Sequence, residues 1–372
     1  MAKFTEKQFK TILNKYKFID NWFWVRYGIN PYNGCQFGCV YCDSRSAKYN
    51  LPTDFENDIV VKTDPAKMLD KRIANARTLL PDIVGTGSAA DPYQPAEKKY
   101  ENTKSCLEVL LKHKYPVLVG TKSILVLRDI ELLDKIGAET WCTIALTVTT
   151  ANKDKAGFLE KFAPSPDERF NVLNTIKKAA KNIQTGIWMM PIIPGFCDSE
   201  SDMEDMVKKA KDNGADFILI GTLTMRDLQA RWFLNNLNKD YPDLIKKYEE
   251  LYRFKYHPDF YQGEFVPDFN YILDINKEIF ELCDKYGIPV RMKRFIPDDY
   301  RKYNYIIAEK LLNKAYMLQS IGKAWSSIFW AGQNIQNLKE SVVDIAKRGE
   351  LTQIRNIGGK IEKFILDEIS NN

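Results

Sequence analysis

Short apolar runs recur through the middle of the chain, each separated from the next by one amphipathic segment, and this alternation limits the fold more than any other feature. The runs cover 83–86, 116–120, 141–147, 186–193 and 217–222, and helical spacing of apolar residues fills 100–112, 129–136, 166–182 and 199–213 between them. A run at 22–25 (Trp22, Phe23, Trp24, Val25) adds a strand in front. Six βα units in an α/β chain predict a partial (β/α)6 TIM-like barrel, and a doubly wound sheet gives the same rhythm. Before them, Phe4, Phe9, Ile12, Leu13 and Tyr16 predict a helix reaching about Ile19. Beyond them, 288–292 offers one extra strand.

Seven cysteines occur in 372 residues, and Cys35, Cys39 and Cys42 crowd into NPYNGCQFGCVYCDSR, residues 30–45. Gly34 and Gly38 free the backbone to turn three sulfurs onto one small object. Three thiolates on a 4Fe–4S cube leave one iron open to bind and reduce a small molecule. A structural zinc loop uses the same residue type in a closed set of four, usually two close pairs. The next cysteine is Cys106, and the histidines are His113 and His257.

With Tyr41 just before the last cysteine, C-x3-C-x2-C resembles the signature of radical S-adenosylmethionine (SAM) enzymes. The wider NPYNGC…C-x-Y-C run resembles the spore photoproduct lyase family. The resemblance implies a partial barrel and a 4Fe–4S cluster on Cys35, Cys39 and Cys42. It also implies SAM chelated at the open iron and cleaved reductively to a 5′-deoxyadenosyl radical that takes a hydrogen atom from substrate. An external electron donor such as flavodoxin or ferredoxin comes with it. In GTGSAADPYQPAEKK, Gly85, Gly87 and Ser88 match the segment that contacts the methionyl amino group, and Asp91 to Pro95 with Glu97 match the family's DPYQP-E. Lys122 matches a lysine that neutralises the SAM carboxylate, and Thr143 a hydroxyl residue of the same pocket. Ile193 and Gly195 of MPIIPGFCDSE match the adenine contact, with Pro191 in place of that pattern's first glycine. The family's hydrogen-donor cysteine falls at Ser88, and its tyrosine after the last cluster cysteine falls at Asp43. Serine's O–H bond is too strong for the donor's part, which leaves Tyr41 and Cys197 as catalytic candidates.

The tail is the second informative stretch. Helical patterns at 303–318, 321–334 and 341–347 lead into GELTQIRNIGGKIEKFILDEIS, which reads as a helix-hairpin-helix. A glycine-rich hairpin at a helix N-terminus presents amides to a phosphate, so Asn356, Gly358, Gly359 and Lys360 are candidate nucleic-acid contacts. The preceding helices resemble the small N-terminal domain of family X DNA polymerases. Residues 301–372 hold eleven Lys/Arg against seven Asp/Glu, most of the whole chain's net charge of +5. That raises the expectation of a nucleic-acid partner, DNA before RNA.

The predicted domains are a helical extension over 1–21, the barrel over 22–300 and the helical tail over 301–372. No apolar run reaches membrane-span length, the first residues lack a signal-peptide core, and the cysteine usage suits a reducing compartment. The expectation is a cytoplasmic protein without a membrane partner. Three functions are compatible: a radical enzyme that repairs or modifies nucleic acid, a radical enzyme for a peptide or metabolite whose tail binds a protein, and a non-catalytic iron–sulfur DNA-binding protein.

Overall fold

The computed structural model describes residues 2–51 and 54–371. They form two compact units, Met1–Lys15 with Tyr27–Met292, and Tyr16–Arg26 with Lys293–Asn372.

In the first unit the strands, in chain order, are β1 (Lys3–Lys7), β2 (Leu13–Lys15), β3 (Tyr27–Ile29), β4 (Tyr32–Asn33), β5 (Asp58–Lys62), β6 (Val84–Thr86), β7 (Val117–Thr121), β8 (Cys142–Thr147), β9 (Ile183–Ile192) and β10 (Phe217–Thr222). The main sheet runs β10-β9-β8-β7-β6-β3-β2. All its neighbours from β3 to β10 are parallel, and β2 is antiparallel at the edge. Spatial order follows chain order without the reversal that defines a doubly wound sheet, so the alternation resolves as the partial (β/α)6 barrel. Burial on both faces explains the unbroken apolar strands: every residue of β8 is buried. The crossover helices fall where the spacing put them, at Asn102–Lys112, Ile130–Glu139, Pro166–Ala179 and Glu200–Asp212. Pro166–Ala179 starts sharply because Ser165 and Glu168 form a reciprocal capping box ahead of Pro166.

Three expectations fail locally. Residues 3–7 form β1, which pairs in parallel with β5 from Lys3↔Asp58 to Lys7↔Lys62, rather than a helix. A weak helical pattern yields there to an edge with unpaired backbone groups. The strand expected at 22–25 is a turn, with Trp24 in left-handed geometry at φ 57°, and β3 takes its place in the sheet. Residues 288–292 form no strand, although the Ile218 N–H of β10 donates to the Pro289 carbonyl at 2.9 Å. Proline cannot return a bond to a ladder.

The second unit packs helices Lys302–Ser320, Ser326–Gln336, Val342–Lys347 and Gly359–Ser370 with residues 16–26. Where the sequence divided the chain at 21/22 and 300/301, the compact unit takes 16–26 out of the N-terminal part. The reason is Trp24, fully buried with the Arg294 guanidinium 4.8 Å above its ring. Gly332 lets two helices approach closely, since a Cβ there would lie 2.8 Å from Leu312 Cγ.

Candidate active site

The loop after β3 and β4 carries the three cysteines, Cys35 and Cys39 buried and Cys42 partly exposed. It turns at Gly34, φ +79°, where a Cβ would sit 2.7 Å from the Asp58 carbonyl oxygen, so the position demands glycine. All three sulfur-bearing residues line one cavity of about 170 Å³. Its other walls are the carboxyl ends of the next strands: Gly87 to Asp91 after β6, Gly120 to Lys122 at the end of β7, Thr147 at the end of β8, and Trp188 on β9. The Trp188 ring lies over Gly120, where a Cβ would come within 2.1 Å of it.

The DPYQP-E segment braces the cysteine loop from behind. Gln94 donates to the Gly34 carbonyl at 3.0 Å and accepts from the Gln36 N–H at 3.0 Å, while Gln36 accepts from the Ala96 N–H at 2.7 Å. Asp91 accepts from the Thr121 hydroxyl at 2.6 Å and the Lys122 N–H at 2.8 Å, tying the segment to β7. Glu97, fully buried, accepts from Tyr32, from the Thr103 N–H at 2.9 Å and from Arg128 at 2.9 Å. Asn30 fixes the opposite turn, donating to Ser88 Oγ at 2.8 Å and accepting from the Ala89 N–H at 3.1 Å.

A buried charge cluster underlies the loop. Glu160 pairs with Arg169, accepts from Tyr41 and from Thr149 at 3.1 Å, and faces Lys122 Nζ at 4.0 Å. Burial alone would raise the Glu160 pKa; the Arg169 and then the Lys122 charges outweigh it and hold it below the usual carboxylate value. Burial likewise opposes the Lys122 ammonium, and the charges of Cys39 and Glu160 outweigh it, keeping the pKa above the ordinary lysine value. Burial pushes the Cys39 thiol up to about 12 against the pull of Lys122, and raises Cys35 as well. Those thiols shed protons when they take up metal.

Of the residues singled out in the sequence, Cys35, Cys39, Cys42, Gly87, Ser88 and Lys122 line the cavity. Gly85 lies within β6, paired with Gly28 and Leu118, short of the cavity wall. Thr143 sits near the start of β8, bonded to Trp141 and Gln184 at 3.0 and 3.3 Å; the residue of β8 at the cavity is Thr147, two pleats further on. Ile193 and Gly195 form the turn after β9, with Gly195 at φ +82°. Their N–H groups are used inside it, on Cys197 Sγ at 3.0 Å and Asp198 at 2.7 Å. Both catalytic candidates move off the cavity. Cys197 is fully buried with its sulfur closing that turn, and Tyr41 points its hydroxyl at Glu160 beneath the loop. Glu160, Arg169, Thr147 and Trp188 were not singled out as site residues, because isolated residues far apart in the chain have no spacing to betray them; Asn30 was signalled only as the first residue of the NPYNGC run.

In the tail, Asn356 takes φ +66°, Gly358 caps the helix Gly359–Ser370, and a Cβ at Gly358 or Gly359 would meet nothing within 4 Å. Asparagine tolerates left-handed geometry, so the turn forms without a first glycine.

The donor set fits an iron–sulfur cluster with SAM. Three cysteine sulfurs share a cavity with a partly buried ammonium and a glycine-lined turn. Residues 29–208 match the Radical SAM superfamily. The chain carries a radical SAM domain. Enzymes with this domain use a 4Fe–4S cluster and SAM, and this chain is one of them. An uncharacterized protein of Mycobacterium tuberculosis is 27% identical over 232 residues, covering 61% of this chain and 67% of the relative. An uncharacterized protein of Methanocaldococcus jannaschii is 28% identical over 177 residues, 47% of this chain and 64% of its own length. Among solved structures, a spore photoproduct lyase complexed with a dinucleoside spore photoproduct superimposes with TM-score 0.55 at 13% identity, over 76% of this chain and 79% of that one. Such identity establishes a shared fold. No helix among the described residues is long and apolar enough to cross a membrane.

Proposed function

We propose that this radical SAM enzyme takes a hydrogen atom from a nucleic-acid substrate, DNA in preference to RNA, in a repair or modification reaction. The observation that carries the substrate class is the tail hairpin: Asn356 in a left-handed turn, and Gly358 and Gly359 with open space before a helix N-terminus whose first turn holds Lys360. Those features suit a backbone phosphate. The solved lyase that shares the fold was bound to a dinucleoside, which supports a substrate of that chemistry here.

Cys35, Cys39 and Cys42 would hold the cluster. When bound, the cluster and SAM supply a reductively generated carbon radical for hydrogen abstraction, the electron coming from an external carrier. Lys122 would meet the SAM carboxylate: Arg169 already matches Glu160, so the lysine keeps a positive charge to offer in a low-dielectric cavity. The Gly87–Ser88 turn, held by Asn30, brings backbone close to the methionyl amino group. Phe37, Phe55 and Trp188 line the cavity with apolar surface that excludes water. Ser88 stands at the cavity, and its O–H bond is too strong to return a hydrogen atom. With Tyr41 and Cys197 also turned away, no relay within this chain is proposed, and the redox-neutral reversal of a thymine lesion by such a relay is not expected. The radical SAM match sets aside the non-catalytic iron–sulfur reading.

Anaerobic reconstitution with iron and sulfide, then dithionite-driven 5′-deoxyadenosine formation with and without duplex DNA, tests the proposal. Faster formation with DNA, lost when Lys360 is reversed to Glu, is expected. Indifference to DNA and RNA together with stimulation by a peptide or metabolite would hand the tail to a protein partner instead.

A further inference from the structure

The tail unit carries a surface that the hairpin does not use. Residues 310–339 contain four lysines and no aspartate or glutamate. In the same unit four rings meet in a row: Phe18 and Trp330 at 6.4 Å between centroids, Trp330 and Phe329 at 5.2 Å, Phe329 and Trp325 at 5.5 Å, all edge to face. The row is not core. Phe18 is 45% and Trp330 43% exposed, while Trp24 and Tyr305 of the same unit are buried.

Cations border the rings. The Lys17 ammonium lies 5.4 Å over the Phe18 ring, and Lys323 is exposed in the turn leading to Trp325. Of the four lysines, Lys310 pairs with Glu368. The near carboxylate in the N-terminal segment, Asp20, is turned onto its own backbone, accepting the N–H groups of Trp22 and Phe23 at 2.8 Å each. Exposed aromatic faces stack on any base, and flanking cations follow the strand's phosphates. A membrane-surface helix would place its basic residues along its own polar face, whereas Ser326–Gln336, SSIFWAGQNIQ, has none.

We propose that Phe18, Trp325, Phe329 and Trp330 form a binding face for single-stranded nucleic acid, stacking unpaired bases while Lys17 and Lys323 meet phosphates. This deepens the nucleic-acid reading and rests on it. The hairpin then takes backbone phosphate of a duplex, and the ring row takes bases that have left one.

The test is fluorescence anisotropy of a short labelled oligo(dT) and of a matched duplex, titrated with the full chain at two salt concentrations, with circular dichroism melting to confirm that variants fold. Trp330→Ala is expected to weaken oligo(dT) about five-fold or more and the duplex far less, Trp330→Phe to keep most of the affinity, and Lys323→Glu to reduce the salt dependence. Unchanged oligo(dT) affinity in both Trp330→Ala and Phe18→Ala overturns the proposal. Wild type that binds the duplex but not oligo(dT) also overturns it and leaves the hairpin reading standing. Wild type that binds neither removes both. Binding to anionic phospholipid vesicles, lost in Trp330→Ala and without oligo(dT) binding, overturns it in favour of a membrane.

Discussion

Two turns at strand ends in the barrel unit contain cysteines, and their thiols are used in opposite ways. In the turn after β9 the thiol is used inside the turn, the Cys197 sulfur accepting the Ile193 N–H, and the helix Ile245–Tyr252 adds Tyr248, donating to the Pro194 carbonyl at 2.7 Å, and Lys247, paired with Asp198 at 2.7 Å. In the loop after β3 the three cysteines line a cavity, and the backbone is held by side chains from within and beyond the loop. Gln94 takes the Gly34 carbonyl, Arg45 donates to the Cys39 carbonyl at 3.1 Å, and Gln229 donates to the Tyr41 carbonyl at 3.1 Å. Arg45 is itself clamped between the rings of Phe55 and Trp232, at 4.8 and 4.5 Å. The difference teaches where to look for function: a thiol spent on its own turn is structural, and a thiol turned to a cavity is left for a ligand.

The sharpest way to break the contrast is to exchange the cysteines' fates. Cys39→Ala is expected to lose essentially all cluster after reconstitution, read as bound iron and sulfide. Cys197→Ala should keep full iron and SAM cleavage with a stability loss of about 1–3 kcal/mol, the cost of leaving the buried Ile193 N–H unmatched. Cluster loss in Cys197→Ala would erase the distinction. The next effect tests the charge beneath the loop. Glu160→Ala strands Arg169 in the interior, and breaking a buried pair this way costs roughly 3–5 kcal/mol. Urea denaturation of the metal-free chain reads that loss. Adding Arg169→Met should recover a large part of it, and no recovery would mean that the pair is not what Glu160 supplies.

How much of this was legible in the sequence follows the same division. Cys35, Cys39 and Cys42 were readable because a cluster needs three sulfurs from one short loop, and short spacing survives in one dimension. Five of the six strands were readable because burial on both faces makes each an apolar run. Residues 3–7 and 22–25 were not. The first becomes a strand only because β5 offers an edge, and the second turns because its tryptophan finds a core among helices far along the chain. Tyr41 and Cys197 were misplaced for a related reason: sequence puts a residue near a site but does not say which way its side chain turns. Glu160 and Arg169 lie nine residues apart in a polar stretch, and only folding shows them buried together.

Gln94 separates the roles of motif and brace. Its side chain makes two bonds to the cysteine loop, and removing it leaves a buried carbonyl and N–H unmatched, a cost of about 1–3 kcal/mol. Gln94→Ala should therefore load iron but surrender it to a chelator several-fold faster than wild type. Gln94→Glu restores an acceptor for Gln36 and not the donor to Gly34, so it should fall between the two. Equal rates for all three would show that the loop is not held from behind.

The smallest effect concerns the stretch just past the cysteines, where Asp227 accepts from the Ser46 hydroxyl at 2.9 Å and the Ala47 N–H at 3.2 Å. Burial pushes its pKa up, and those hydrogen bonds outweigh it, leaving the carboxyl below its ordinary 3.8. A carboxyl lowered on folding binds fewer protons in the folded chain than in the unfolded one. Its contribution is therefore present above the ordinary value and is lost as pH falls through the folded one. Asp227 is exposed, so screening keeps the gain to at most about 1 kcal/mol. Asp227→Asn should lower the urea midpoint slightly at neutral pH and converge with wild type as the medium is made acid. A gap that stays constant with pH would mean that the asparagine disturbs packing, and that the loop's far end is held by shape more than by charge.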